Sequence, residues 1–406
     1  MTSPTLRELF HVFGRIGVLS FGGPAAQIAL MHRELVEQRP WLTEKQYLNA
    51  LSFCMLLPGP EAMQLATYAG WRLRGTAGGL LAGLLFVLPG AALILLLASL
   101  YAAYGTLPWV AAAFLGIKAT VVVIVVQALL KVSARALKGP VAYGLALAAF
   151  LALFAFGIPF PFIIVAAAAI GAIAMRAAPA EAPPLAVSPA RTLGTIAMWL
   201  ALWLVPLAAL WLFGPALLAD IATFFSTLAV VTFGGAYAVL AYMVQEVVQG
   251  FGWLTTEQMM DALGLAETTP GPLILVTEFV GFLAGAQAGG WGMGLAAALV
   301  TLWMTFVPCF LWIFAGAPYV EWIATRPRLT GALSGITAAV VGVIANLSVW
   351  FALTLWFDAE RVSFETLNLS ALALSALAAV LLLWRKLDLL LVLPILAAAG
   401  IATSLI

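Results

Sequence analysis

The sequence predicts an all-α polytopic membrane protein built from two copies of one helical unit. Three observations predict it: an apolar composition, a run of about thirteen hydrophobic helical stretches, and a gap-free internal repeat. Of 406 residues, 64% are hydrophobic and 9% charged, whereas a soluble domain carries about 25% charged residues. Mean hydropathy is +1.11. A chain this apolar would expose far too much hydrocarbon to water, so almost its whole length belongs in a lipid bilayer. No stretch is polar enough to form an ATPase module, and no G-x-x-x-x-G-K-[ST] loop occurs. Any transport must therefore run on ion gradients or on the substrate's own gradient. A net charge of +1 offers no basic field to nucleic acid. Two cysteines, Cys54 and Cys309, and two histidines, His11 and His32, predict neither a disulfide framework nor a metal site. No cofactor is expected, and a membrane-embedded enzyme is disfavoured for want of an acidic or histidine-rich metal cluster. The first apolar run continues into a long helix without a small-residue cleavage site, so no signal peptide is expected.

The helical stretches lie near 5–38, 43–74, 77–103, 108–137, 140–156, 159–176, 192–213, 217–250, 255–287, 290–316, 328–356, 364–384 and 387–405. Most supply the roughly 20 apolar residues that a span needs. The stretches 140–156 and 159–176 are short and separated by Gly157, Ile158 and Pro159, which reads as a tight helical hairpin. Segment 177–191 is rich in Pro and Ala and reads as a linker. The expected division is a first repeat over 1–176, a linker and connecting helix over 177–213, and a second repeat over 214–406.

Residues 13–60 align with 225–272 at one offset of 212, with about 18 identities in 48 positions. Shared apolar composition would not align rare residues. Yet Phe21, Gly22 and Gly23 fall on Phe233, Gly234 and Gly235, Trp41 falls on Trp253, and Pro58, Gly59 and Pro60 fall on Pro270, Gly271 and Pro272. Farther on, Gly79 and Gly83 match Gly290 and Gly294, and Gly116 matches Gly335. Internal repeats are the usual architecture of secondary transporters.

Six elements per copy with one between them make an odd number, so the second copy is expected to be inverted. Arg72, Arg74, Lys131, Arg135, Lys138, Arg176, Arg191, Arg326, Arg328, Arg385 and Lys386 then share one side, cytoplasmic if the N-terminus is cytoplasmic, with the C-terminus outside. Between Arg191 and Arg326 no Lys or Arg occurs, whereas acidic residues do, among them Asp220, Glu246, Glu257, Asp261, Glu267 and Glu278. If the first two stretches span fully, Arg33, Arg39 and Lys45 lie outside. If they fold back at the Phe-Gly-Gly and Pro-Gly-Pro breaks, these residues stay with Arg72 and Arg74. The charge pattern favours folding back, which gives roughly nine full spans.

Pro removes a backbone donor and Gly tolerates unusual angles, so the repeated triplets unwind helices at mid-membrane depth. Unwound backbone survives there only against protein or a water-filled cavity. A half-helix beginning after such a break turns free N–H groups and partial positive charge into that cavity, which suits an oxyanion. A purely structural kink is the other reading. Intramembrane ionisable groups are costly and usually functional. Lys118, about ten residues into its stretch, is either an anion contact or an ion-pair member. Arg15, six residues before Phe21, either faces the site or snorkels to the surface. Glu61 and Glu267 flank the two Pro-Gly-Pro triplets, with Gln64, Thr268 and Thr269 nearby. Either carboxyl could trade protons with a gradient, and Glu61 could instead be a static partner of a helix dipole. Glu278 is a further intramembrane carboxyl. Glycine pairs 79/83 and 290/294 read as close-packing faces.

The strings FGRIGVLSFGGP (13–24), WLTEKQY (41–47), LLPGPEAMQLATYAGW (56–71), LFVLPG (85–90), VTFGGAYAVL (231–240) and LAETTPGPLILVTEFVGF (265–282) resemble the chromate ion transporter family in its long, two-domain form. The resemblance covers nearly the whole chain. It implies export of chromate from the cytoplasm across the inner (plasma) membrane, driven by the proton motive force, with chromate resistance as the result. Chromate and protons are then the partners, with sulfate, a tetrahedral dianion of similar size, as competitor. The anion-binding candidates are Arg15, Gly22, Gly23, Pro58, Gly59, Pro60, Lys118, Gly234, Gly235, Thr268, Thr269, Pro270, Gly271 and Pro272, with Glu61 and Glu267 for proton coupling. Uptake of sulfate or another oxyanion, and a passive anion channel, stay open as alternatives. A homodimer is compatible with the sequence, which does not fix the oligomeric state.

Overall fold

The structure, a computed structural model, describes residues 4–175, 189–233, 236–320, 326–357 and 363–405. Helix α1 (Leu6–Leu19) opens on a capping box of Thr5 with Glu8. It stops at Ser20, and α2 (Gly23–His32) starts only after Gly22, whose φ is +83°. A π-helical turn, Arg33–Gln38, extends α2. Helix α3 (Glu44–Cys54) opens on a second capping box, Thr43 with Gln46, and the Pro-Gly-Pro loop separates it from α4 (Glu61–Tyr104). Proline at the first turn starts α5 (Pro108–Ala136) and α6 (Pro140–Phe154), where a missing N–H costs nothing. Helix α7 (Phe160–Ala174) completes the first half, and α8 (Pro189–Phe213) connects to the second.

The second half repeats these signals. Helix α9 (Ala216–Val231) is followed by α10 (Ala236–Val244), again extended by a π-helical turn, Gln245–Gly250. Thr255 and Gln258 form the capping box of α11 (Thr256–Glu267). After the second Pro-Gly-Pro loop and a short 3-10 turn comes α12 (Val276–Gly316). Helices α13 (Pro327–Trp356), α14 (Leu369–Ala379) and α15 (Leu389–Thr403) complete the chain.

Helices α4 and α12 each reverse direction within two residues. Arg74 and Gly75 leave helical geometry, and so do Gly289 and Gly290. Across the first turn Gly70 and Gly78 approach so closely that a Cβ on either would collide with the other's carbonyl oxygen. Across the second, Gly285 lies against Gly294 and Gly281 against Thr301. The separate stretches 43–74 and 77–103 expected from sequence are therefore arms of one hairpin, as are 255–287 and 290–316. Gly79 and Gly83 of α4 pack on Phe314 and Phe310 of α12, whereas Gly290 belongs to the reversal itself.

The broken helices also fold back. Arg15 of α1 lies 3.7 Å from Glu34, in the turn that extends α2. Had the chain run straight through the break, those residues would be about 28 Å apart at 1.5 Å per residue. His32 bonds Glu44 at 2.7 Å, which puts the start of α3 beside the end of α2. The Arg74 guanidinium donates to the Pro4 carbonyl, which returns the first arm of α4 to the start of α1. In the second half Phe224 of α9 meets Tyr242 of α10 and Phe251 and Trp253 beyond it. Tyr101 contacts both α11, through Asp261, and the first arm of α12, through Phe279. The long arm of α4 starts at Gly75, beside the first set, and ends at Tyr104. Near that far end Trp291 donates to Ser99 at 3.3 Å. Contacts to α1 thus lie at the Gly75 end of this arm, and contacts to α11 and α12 lie near its Tyr104 end.

Around them the remaining helices pack reciprocally. Helices α6 and α7 lie on α13, where Gly171 abuts Gly331 and Gly335, and Gly342 meets Ala146. Helices α14 and α15 lie on α5, where Gly116 meets the Leu396 carbonyl and Gly400 meets Ala112. In lipid there is no hydrophobic drive between helices, so glycine contacts that bring backbones together supply the packing. Large apolar side chains point outward, among them Phe162, Val165, Ile173 and Phe213, an arrangement that water would penalise and acyl chains satisfy. Helices α4, α5, α8, α12 and α13 are each long and apolar enough to cross a membrane.

Candidate functional site

The four helix breaks meet in crossed pairs. The Gly59 N–H donates to the Thr232 carbonyl at 3.0 Å, and the Gly271 N–H donates to the Ser20 carbonyl at 3.0 Å. Gly271 stands 212 positions after Gly59, and Thr232 stands 212 after Ser20. Each Pro-Gly-Pro loop is therefore tied to the Phe-Gly-Gly break of the other half. Gly59 and Gly271 have φ of +112° and +92°, where a side chain would be strained. Space excludes one as well: a Cβ on Gly59 would lie 2.7 Å from Cys309 Sγ. Gly90, in the long arm of α4, touches the Pro270 carbonyl.

Two glutamines stitch the loops. Gln27 donates through Nε2 to the Gly271 carbonyl at 2.6 Å and to the Ser20 carbonyl at 3.1 Å. Gln64 donates through Nε2 to the Pro58 carbonyl at 2.7 Å. Both are fully buried, and neither side-chain oxygen has a hydrogen-bond partner among the described residues. The second half carries Val239 and Val276 at these positions. Gln27 escaped the sequence reading, although a polar residue in an apolar run just past Phe-Gly-Gly was the available signal.

The other expected site residues divide. Gly22 and Gly23 open α2 with no side-chain cap, and Gly22 is exposed. Pro58 is buried, Pro60 half-buried, and Pro270, Gly271 and Pro272 are buried. Gly234 and Gly235 lie outside the described residues. Thr268 and Thr269 commit their hydroxyl protons to the Leu265 and Ala266 carbonyls, which caps the end of α11. Glu61 is the first residue of α4. Glu267 is buried and accepts from the Tyr237 hydroxyl at 2.7 Å. Glu278 is buried with Oε2 unpartnered among the described residues.

Of the two basic candidates, Lys118 is an ion-pair member: its Nζ lies 2.9 Å from Glu257 of α11. Arg15 has a 56% exposed side chain and faces Glu34 at the mouth of the first hairpin. Glu34, which the sequence reading left aside, is 1% exposed and also accepts from Arg39 at 2.5 Å. A carboxylate this buried requires such partners. Two cavities lie away from the crossed loops. One, of about 320 Å³, is an apolar groove between α6 and α7. The other, of about 260 Å³, lies between Trp71, Thr76, Phe314 and the start of α8 at Arg191, Thr192 and Thr195.

Broken helices meeting loop-to-loop inside an apolar helical bundle define a multi-pass membrane transporter. The sequence matches the chromate transporter family over residues 7–172 and 219–402, and the chain belongs to that family. It is 33% identical to a chromate transport protein of Pseudomonas aeruginosa, over 98% of this chain and 92% of that one. It is 31% identical to a probable chromate transport protein of Synechococcus elongatus, over 98% and 95% of the two chains. Identity to a chromate transport protein of Cupriavidus metallidurans is 30%, over 86% and 84%. No solved structure matches the chain.

Proposed function

We propose that this protein is a secondary active transporter that exports chromate from the cytoplasm across the inner membrane, driven by the proton motive force, and so confers chromate resistance. The observation that carries the reading is the crossed pair of hydrogen bonds, Gly59 to Thr232 and Gly271 to Ser20. Reciprocal contacts at repeat-related positions, made by elements that arrive from opposite ends, are what two inverted repeats would make. In this reading residues 1–176 and 214–406 are those repeats, joined by 177–213, and the crossed loops are the barrier that each side opens in turn.

The free N–H groups at the start of α2 would hold the dianion, joined by the Gly59 and Gly271 N–H groups once these release Thr232 and Ser20, with Pro58, Pro60, Pro270 and Pro272 keeping the loops unwound and Gly22, Gly23, Gly234 and Gly235 supplying the freedom to unwind. Thr268 and Thr269 would join by turning their hydroxyls away from α11. Arg15 would guide the anion to the first break. Lys118 would reach it only by leaving Glu257. Glu61 and Glu267 are the carboxyls nearest the loops in sequence and would exchange protons there.

Sidedness is supported by charge. The end holding the first hairpins carries Arg7, Arg15, Arg33, Arg39, Lys45, Arg72 and Arg74, as expected of a cytoplasmic face and of one that gathers anions. The N-terminus is then cytoplasmic and the C-terminus outside. Uptake of labelled chromate by everted vesicles, with sulfate as competitor and an imposed pH gradient, tests the reading. Accumulation abolished by a protonophore is the expected result. Flux that only equilibrates would make the protein a channel, and flux in right-side-out vesicles preferring sulfate would make it an uptake system.

A further inference from the structure

Asp261 is a second kind of buried carboxylate, placed between the two halves rather than at the loops. It lies in α11, 5% exposed, and its Oδ2 accepts from the Tyr101 hydroxyl of α4 at 2.8 Å. Its Oδ1 has no hydrogen-bond partner among the described residues. One turn earlier on the same face stands Glu257, with a 65% exposed side chain, held by Lys118 of α5. The groups around Asp261 are thus Tyr101 from α4, Lys118 from α5 and Glu257 from its own helix. Helix α12 contributes Phe279, packed on the Tyr101 ring, and α5 closes over α11 with Ile117 and Val121 against Gly264.

Charge counting makes this cluster incomplete. Two carboxylates share one ammonium, and that ammonium is already hydrogen-bonded to Glu257. Burying the leftover negative charge in a low-dielectric site is costly, and a single proton removes the cost. Glu257 reaches water, Asp261 does not, and the spacing of four residues puts the two in line along α11 toward Thr268 and the crossed loop.

We infer that Asp261 is a proton-carrying carboxylate of the transport cycle, loaded through the Glu257–Lys118 pair from the side on which the second half opens. A proton arriving from water binds Asp261 Oδ1, and the cluster becomes neutral. When the proton leaves, Lys118 is shared between both carboxylates, which shifts α5 against α11. With the second half opening outward, the proton enters from outside as chromate leaves. This inference rests on the proton-coupled reading above.

The test uses the purified full-length protein in proteoliposomes with labelled chromate. Two assays are run: chromate exchange at equal pH, and accumulation under an imposed pH gradient. Asp261→Asn is expected to keep exchange within about twofold and to lose at least about tenfold in gradient-driven accumulation. Asp261→Glu is expected to restore accumulation with a displaced pH profile. Accumulation by Asp261→Asn equal to wild type would overturn the inference, as would joint loss of exchange and accumulation in a variant with unchanged thermal stability. If Asp261→Asn does not fold, the Asp261→Glu profile decides: displaced supports the role, undisplaced removes it. If the wild-type protein itself fails to accumulate, the proton-coupled reading falls and takes this inference with it.

Discussion

The first hairpin, α1 with α2, and its counterpart, α9 with α10, share a backbone plan and differ in electrical sign. Each carries a glutamate in a π-helical turn, Glu34 in one and Glu246 in the other. Around Glu34 stand Arg15 and Arg39. The aligned residues in the second hairpin are Thr227 and Phe251, and Phe251 stacks on Trp253 at 4.2 Å. One mouth is basic and ion-paired, the other aromatic and acidic. The residues that make the breaks were kept in both halves, while those that set the charge diverged. Shape and directionality are therefore separately encoded: glycine, proline and capping boxes bend the helices, and a few arginines decide which mouth attracts an anion.

The largest effect expected is at the shared plan. Gly90→Val forces a side chain into the Pro270 carbonyl, a backbone contact that cannot rotate away. It should cost about 3 kcal/mol or more and abolish transport, read as loss of monodisperse protein after extraction. Normal behaviour would break the claim that the loops are tightly seated.

Glu34→Gln, by contrast, probes what differs between the hairpins. Removing a buried partner of two arginines should cost about 1–3 kcal/mol, while Glu246→Gln should cost less than about 1 kcal/mol. Thermal midpoints in detergent compare the two, and equal losses would erase the distinction. A milder change gives the first mouth the second's residues: Arg33→Gln with Lys45→Glu should raise the KM for chromate a few-fold at low salt and hardly at all at high salt. Initial rates across ionic strength check it.

The smallest effect concerns His32. Its Nε2 bonds Glu44 at 2.7 Å and its Nδ1 bonds Glu37 at 3.1 Å. The Glu44 hydrogen bond, more than any other influence, raises its pKa above the ordinary value. A raised pKa means that the pairing stabilises the hairpin fully below His32's ordinary pKa and is lost as pH climbs through the raised value. Thermal stability should therefore decline slightly across that window, by a few tenths of a kcal/mol for so exposed a pair. His32→Gln should flatten the decline.

Much of the fold was legible because glycine, proline and capping residues act locally. The breaks at Ser20–Gly22 and at Pro58–Pro60 stand where the triplets put them, and Thr43 and Thr255 start their helices as capping residues do. What could not be read was partnership. Lys118 is placed within its helix as its sequence suggests, yet its partner Glu257 lies 139 residues away. Asp261 looks like one more acidic residue of an outer segment, and only the packing of α5 and α4 over α11 buries it. Gln27 and Gln64 hold loops together through hydrogen bonds whose other ends no local pattern specifies.

Locating chromium directly would test the central claim, that the anion passes at the crossed loops. Crystals of the protein grown with chromate would give an anomalous chromium signal. A peak between the start of α2 and the two Pro-Gly-Pro loops is the predicted result. A peak elsewhere, such as the Arg191 cavity, with none at the loops, would contradict it.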